Sequence, residues 1–101
     1  MATKRIPTYD LSEIQRQIRT GRYVVTGSSR AGAELLGLDE SDVVACVGLL
    51  TRVDFYKSMP SEQVPGMWQD VYRPTYEGRA LYVKLQQRGD RLVVVISFKE
   101  L

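Results

Sequence analysis

The sequence predicts an α+β fold in which amino-terminal helices pack on one face of a mainly antiparallel sheet. Two observations carry this expectation: apolar residues recur at helical spacing through the first half, and from Arg52 onward the period changes to two. The order matters as well, because helices followed by strands describe an α+β plan rather than an alternating one. At 101 residues the chain is one domain's worth, so a single domain over residues 1–101 is expected, large enough to bury a core without staples.

Each element has a local cause. Asp10-Leu11-Ser12-Glu13 reads as a capping box with Asp10 as the cap, and Leu11, Ile14 and Ile18 fall on one face before Gly21 stops the turn, giving a helix over about residues 11–20. Tyr23 to Thr26 is a short β-prone piece. Ser28-Ser29 caps a second helix whose Ala31, Leu35 and Leu38 share a face and which Gly37 ends. Asp39-Glu40-Ser41-Asp42 puts negative charge where a helix begins, and Val43, Cys46, Val47 and Leu50 follow at helical spacing. The valines there also suit a strand, but an acidic turn is a poor start for a buried one.

Four strands are then expected, over about residues 52–59, 67–73, 80–87 and 91–98. Pro60, Pro65-Gly66, Pro74 and Gly78 punctuate them, and Arg88-Gly89-Asp90 makes the last turn a tight hairpin. That tripeptide also spells an adhesion motif, but Gly and Asp are what a tight turn demands.

Alternation then sorts the side chains. Leu81, Val83 and Leu85 fall on one side, as do Leu92, Val94, Ile96 and Phe98, so these sets are expected inside. The opposite faces carry Tyr82 and Lys84, and Val93, Val95, Ser97 and Lys99. If Trp68 and Tyr72 point inward, Gln69 and Arg73 join Tyr82 and Lys84 outside. Phe55 and Lys57 share a parity, so Lys57 follows its apolar neighbour inward unless the strand bends or ends there. The pattern explains Lys57 least.

Composition excludes several function classes. With 44% hydrophobic and 26% charged residues the chain reads as an ordinary globular protein, and no apolar run reaches membrane-spanning length. The amino-terminal Met-Ala-Thr-Lys-Arg-Ile-Pro has charge but no apolar stretch behind it and does not resemble a secretory signal, so a cytoplasmic protein with no membrane partner is expected. Cys46 is the sole cysteine, in an apolar run, and is expected as a buried thiol. There is no histidine, which removes a Ser-His-Asp triad, a Cys-His pair, a histidine zinc site and a histidine-pair ribonuclease. Glycine-rich nucleotide cradles are missing too, and the acids are scattered, which argues against a two-metal nuclease.

What remains is an alternation of rings, cations and amides in Asp54-Phe55-Tyr56-Lys57-Ser58-Met59, Trp68-Gln69-Asp70-Val71-Tyr72-Arg73-Pro74, Tyr82, Lys84 and Ser97-Phe98-Lys99. Rings stack on unpaired bases while Lys and Arg neutralise phosphate, so these segments suit RNA, with Tyr56, Arg73 and Lys84 as candidate RNA contacts. The net charge of only +2 requires such a surface to be local. Three alternatives stand beside it: a solvated sheet face, a non-catalytic single-stranded RNA-binding module stacking bases on Tyr56, Trp68 and Tyr72, and a protein scaffold. Trp68 and Phe55 are more often core residues, and Asp54 and Asp70 are expected as partners of arginines rather than bases.

Taken together, the four segments Asp54 to Met59, Trp68 to Pro74, Tyr82-Val83-Lys84 and Ile96-Ser97-Phe98-Lys99-Glu100 resemble the MqsR family, the motility quorum-sensing regulator toxins of type II toxin-antitoxin pairs. The resemblance implies a RelE-like fold and a metal-independent mRNA interferase, with no cofactor, that cuts mRNA in short contexts such as GCU. It implies Lys57, Gln69 and Tyr82 as catalytic residues, with Lys99 as a fourth. It also implies a cognate MqsA-like antitoxin, and contact with operator DNA only through the toxin-antitoxin complex. The exposed piece Tyr23 to Thr26 is a candidate edge for an antitoxin strand. The expected reaction is attack of the ribose 2′-hydroxyl on the adjacent phosphorus. Lys57 serves as base or phosphorane stabiliser, Tyr82 as its proton-transfer partner, Gln69 as orienting donor, and Lys99 and Arg73 as electrostatic holders. The first ten residues and the loop from Pro60 to Met67 match the family least.

Overall fold

Capping residues decide where the helices start. In the computed structural model, which describes residues 2–101 and so omits residue 1 of the expected domain, Asp10 accepts from the Ser12 amide and hydroxyl at 3.0 and 2.8 Å. It thereby opens helix α1, Leu11–Arg19. Glu13 does not reach back to complete a capping box; its carboxylate is taken by Arg16, Gln17 and Arg91. Ile14 and Ile18 are buried, and Gly21 takes the positive φ that ends the turn. Asp39 and Asp42 do form a reciprocal box, at the start of helix α3, Glu40–Leu49. Its Val43, Cys46 and Val47 are buried, as is Leu50 just beyond. Burial pushes the Cys46 thiol up to about 12, which leaves it an unreactive core group.

Helix α2, Gly27–Glu34, departs from expectation. Thr26 caps it, ahead of Ser28-Ser29, and the inward face is not Ala31, Leu35 and Leu38, since Ala31 is exposed and Leu35 is 89% exposed. Ser29 and Ala33 are the buried residues. The reason is proximity to backbone rather than to side chains. Ser29 Oγ donates to the Val95 carbonyl at 2.8 Å, and a β-carbon on Gly32 would overlap the Phe98 carbonyl oxygen. Only small residues fit a helix that lies this close to a strand.

The strands are β1 (Tyr23–Val25), β2 (Phe55–Pro60), β3 (Trp68–Tyr72), β4 (Thr75–Tyr76), β5 (Arg79–Gln87) and β6 (Val93–Glu100). Their order is β1-β6-β5-β3-β2, with β4 pairing on β5. β1 runs parallel to β6 and the other pairs are antiparallel, so the sheet is mixed. Residues 52–54 form a 3₁₀ turn instead of the expected start of a strand, because the Asp54 carboxylate caps the Thr51 amide at 2.8 Å. Strand β4 was not anticipated; it returns to β5 through Glu77-Gly78, both at positive φ, a two-residue turn that matches strand twist. In the β5–β6 hairpin Arg91, not Gly89, takes the positive φ.

Alternation breaks twice, and both breaks matter. In β6 the register passes from Lys84↔Ser97 to Leu85↔Val95, which leaves Ile96 as the extra residue of a bulge. Val93 and Val95 are therefore buried on one side of it and Phe98 on the other. The expectation that Leu92, Val94 and Ile96 share the core face with Phe98 is wrong for those three. The Ile96 carbonyl accepts from the hydroxyls of Thr26 and Ser28 at 3.1 and 3.2 Å. In β2, Phe55 pairs with Tyr72 and Lys57 with Val71, leaving Tyr56 as the extra residue. This is the bend that Lys57 required. Phe55 stays edge-on against the Tyr72 ring, with centroids 5.5 Å apart.

One apolar cluster joins Ile14, Ala33 and Val47 of the three helices to Tyr72, Val83 and Phe98 of the sheet. Residues 4–9 form a strap beside it. Lys4 exchanges two backbone hydrogen bonds with Ser58 on the outer edge of β2, at 2.9 and 2.8 Å. The Thr8 and Tyr9 amides donate to the Asp70 carboxylate at 3.0 and 2.9 Å, and Tyr9 Oη donates to the Trp68 carbonyl at 2.6 Å. Asp70, fully buried, is thus held by amides and not by an arginine, and Asp54 is likewise a cap. Gly32→Ala should cost about 1–3 kcal/mol or more in urea unfolding, since α2 must lift off β6. Wild-type stability would contradict the close approach.

Candidate functional site

Pairing across the strands builds one face from residues far apart in sequence. Lys57, Val71, Lys84 and Ser97 are successive Cα partners across β2, β3, β5 and β6, and partners project to the same side. One row along, Tyr82 lies opposite Lys99; in the other direction Met59 lies opposite Gln69. Gln69, Val71 and Arg73 share this side by alternation, as do Tyr82, Lys84 and Gln86. Tyr56, at its bulge, has Arg73 Cζ 4.5 Å and Lys57 Nζ 5.3 Å from its ring centroid. The Tyr82 ring has Lys99 Nζ at 5.2 Å and Lys84 Nζ at 5.9 Å. Lys57, Gln69, Tyr82, Lys99, Tyr56, Arg73 and Lys84 therefore all lie on a single surface.

That surface has an apolar floor. Val71 is fully buried yet stands outside the main core cluster, and both of its Cα partners are lysines. Long aliphatic stems on both neighbours are suited to covering such a residue while their ammonium groups reach solvent. Gln69 is buried to 8% exposure, and its Nε2 donates to Gln86 Oε1 at 3.2 Å, which fixes the amide's orientation.

Burial shifts two groups on this surface. Burial above all lowers the Lys84 pKa from the ordinary lysine value; Lys99 and Lys57 push the same way, and Glu62 opposes them. Burial, with a smaller contribution from Tyr56, raises the Tyr82 phenol above the ordinary tyrosine value. Tyr82 thus keeps its proton at neutral pH and is a donor. A face of this kind attracts a polyanion, can hold a phosphoryl group among cations, and offers an acid beside it.

Other expectations fare differently. Tyr72 is a core residue, its phenol pushed up by burial, and Trp68 has the opposite parity to Gln69, beneath Lys4 Nζ at 4.4 Å. Neither offers a stacking platform on the lysine-bearing surface; Tyr56 does. A hollow of about 740 Å³ between the strap, α1 and Thr51-Arg52 is lined by Tyr72 but by none of Lys57, Gln69, Tyr82, Lys99, Tyr56, Arg73 and Lys84. An open cationic surface suits a nucleic-acid backbone better than that pocket does. Sequence reasoning missed Gln86, whose parity with Tyr82 and Lys84 was a readable signal, and Arg5, whose guanidinium lies 5.8 Å from the Tyr56 ring. Among the described residues no helix is long and apolar enough to cross a membrane.

Comparison with known proteins points the same way. Residues 6–100 match the family described as motility quorum-sensing regulator, toxin of MqsA. The chain is also 36% identical over 97 residues to the mRNA interferase toxin MqsR of Escherichia coli (strain K12), an overlap of 96% of this chain and 97% of that protein.

The lowered pKa of Lys84 gives a signed prediction. Its charge is complete at low pH and is lost at a lower pH than an ordinary lysine's ~10.4. Affinity for a single-stranded oligonucleotide, followed by fluorescence anisotropy, should therefore weaken as pH rises through that alkaline range. Lys84→Arg should flatten the loss. Superimposable profiles for the two proteins would contradict a contribution from Lys84.

Proposed function

The chain belongs to the family of motility quorum-sensing regulator toxins, and from that membership we propose that it is the toxin of a type II toxin-antitoxin pair, an mRNA interferase that cuts RNA without a metal. The observation that carries this reading is the convergence of Lys57, Gln69, Tyr82 and Lys99 on one cationic sheet face. The 2′-hydroxyl attacks the adjacent phosphorus, the P–O5′ bond breaks, and the products end in a 2′,3′-cyclic phosphate and a 5′-hydroxyl. Tyr82, which retains its proton, gives it to the departing 5′-oxygen. Lys57 acts at the other end of the displacement as the base for the 2′ proton. Gln69 orients the phosphate, and Lys99 and Arg73 hold its developing charge while Tyr56 and Lys84 bind the flanking RNA.

The wider reading is a single RelE-like toxin domain over residues 1–101, with its helices on the sheet face opposite the RNA. It works in the cytoplasm on mRNA in short contexts such as GCU. Its inhibitor is an MqsA-like antitoxin, and it meets operator DNA only within that complex. Strand β1 is an edge strand of the sheet and Val24 is 45% exposed, which suits an added antitoxin strand. Amides of Tyr23 and Val25 should then gain protection from hydrogen exchange on antitoxin binding; unchanged protection would reject that edge.

The decisive test is a defined RNA incubated with purified protein in chelator, with chemical analysis of the new ends. Cyclic phosphate and 5′-hydroxyl ends are expected, and the DNA equivalent should resist. Lys57→Ala and Tyr82→Phe should fold normally and cut about 10²–10⁴ more slowly. Full activity in either variant removes that residue from the chemistry, and loss of cleavage in chelator would refute the metal-free mechanism.

A further inference from the structure

We propose that the amino-terminal strap is part of the RNA-binding surface, and that Arg5 grips, together with Arg73, a phosphate flanking the scissile one; this rests on the RNA-cleavage reading above. Arg5 Cζ lies 5.8 Å and Arg73 Cζ 4.5 Å from the centroid of the same Tyr56 ring. Two guanidiniums at one ring, with Lys57 Nζ 5.3 Å from it, form a cationic cluster at the β2 end of the site. Among the described residues none of the three has a carboxylate within ion-pair distance. Their donors are free for an external anion, and a guanidinium matches the geometry of phosphate oxygens.

The placement of Arg5 is built in. The paired Lys4–Ser58 backbone bonds fix the strap against β2, and the Thr8 and Tyr9 amides secure its other end on the buried Asp70. Lys4 turns toward Trp68, so its neighbour Arg5 projects to the opposite side, where Tyr56 stands. The family match begins at residue 6, so family membership does not supply this contact.

The test uses single-stranded RNA carrying 2′-O-methyl groups throughout, which cannot be cut, and measures its affinity across a salt series. Arg5→Ala should weaken binding about fivefold and reduce the slope of log K against log salt by about 0.7, one phosphate's worth for a single strand. Arg5→Lys should keep that slope. With cleavable RNA, KM should rise in Arg5→Ala while kcat stays, because Arg5 lies beside the reacting phosphate and not on it. Unchanged affinity and slope overturn the proposal, as does a fall in kcat with KM intact. If the wild-type protein neither binds nor cuts RNA, the parent reading falls too; if it does both and Arg5→Ala matches it, only Arg5 is misassigned.

Discussion

Two hydroxyls on one carbonyl hold the site together. Thr26 and Ser28 donate to the oxygen of Ile96, the surplus residue of the β6 bulge. Val93 and Val95 are core residues, and in an unbroken strand Lys99 would share their side. The bulge instead returns Phe98 to the core and sets Lys99 across from Tyr82. Tyr56 does the same in β2, where Phe55 packs on Tyr72 and Lys57 would otherwise follow it inward. Burying either ammonium would cost several kcal/mol, so each bulge relieves a penalty while delivering a cation to the same surface.

The surface so assembled is held under electrostatic tension. Lys57 and Lys99 both act against the charge on Lys84, and Lys57 and Lys84 flank the buried Val71. Glu62 offsets part of the repulsion at Lys84, but no carboxylate of β2 or β3 does, because Asp70 faces the strap and Asp54, just before β2, caps the preceding turn. A bound phosphate is the natural counter-charge. Burial acts on the two groups in opposite directions, lowering the Lys84 pKa and raising that of Tyr82, so the phenol keeps its proton at neutral pH.

Much of this was legible in the chain. The cap Asp10 and the acidic run Asp39 to Asp42 placed α1 and α3, and simple alternation put Tyr82 and Lys84 on one side of β5. Lys57 stood out because it violated its own strand's pattern, and the violation marked the bulge. β6 misled because both of its parities are apolar, so nothing in the composition says which valines lie inside; only the pairing register does. The α2 face misled because Ser29, Gly32 and Ala33 are chosen for contact with backbone, not for hydrophobicity. Arg5 joins the site through a bridge between Lys4 and Ser58, a long-range pairing with no local signature. The roles at the site came from motif resemblance; alternation alone left a solvated face open.

The central claim is that Lys57 and Tyr82 act on one phosphate as a unit, and a double-mutant cycle on cleavage rate tests it most directly. If they share one reaction, Lys57→Ala with Tyr82→Phe should lose about as much rate as the worse single variant, because the second change finds little concerted catalysis left to remove. If the two losses multiply, the groups act independently, and a shared site on this face is contradicted.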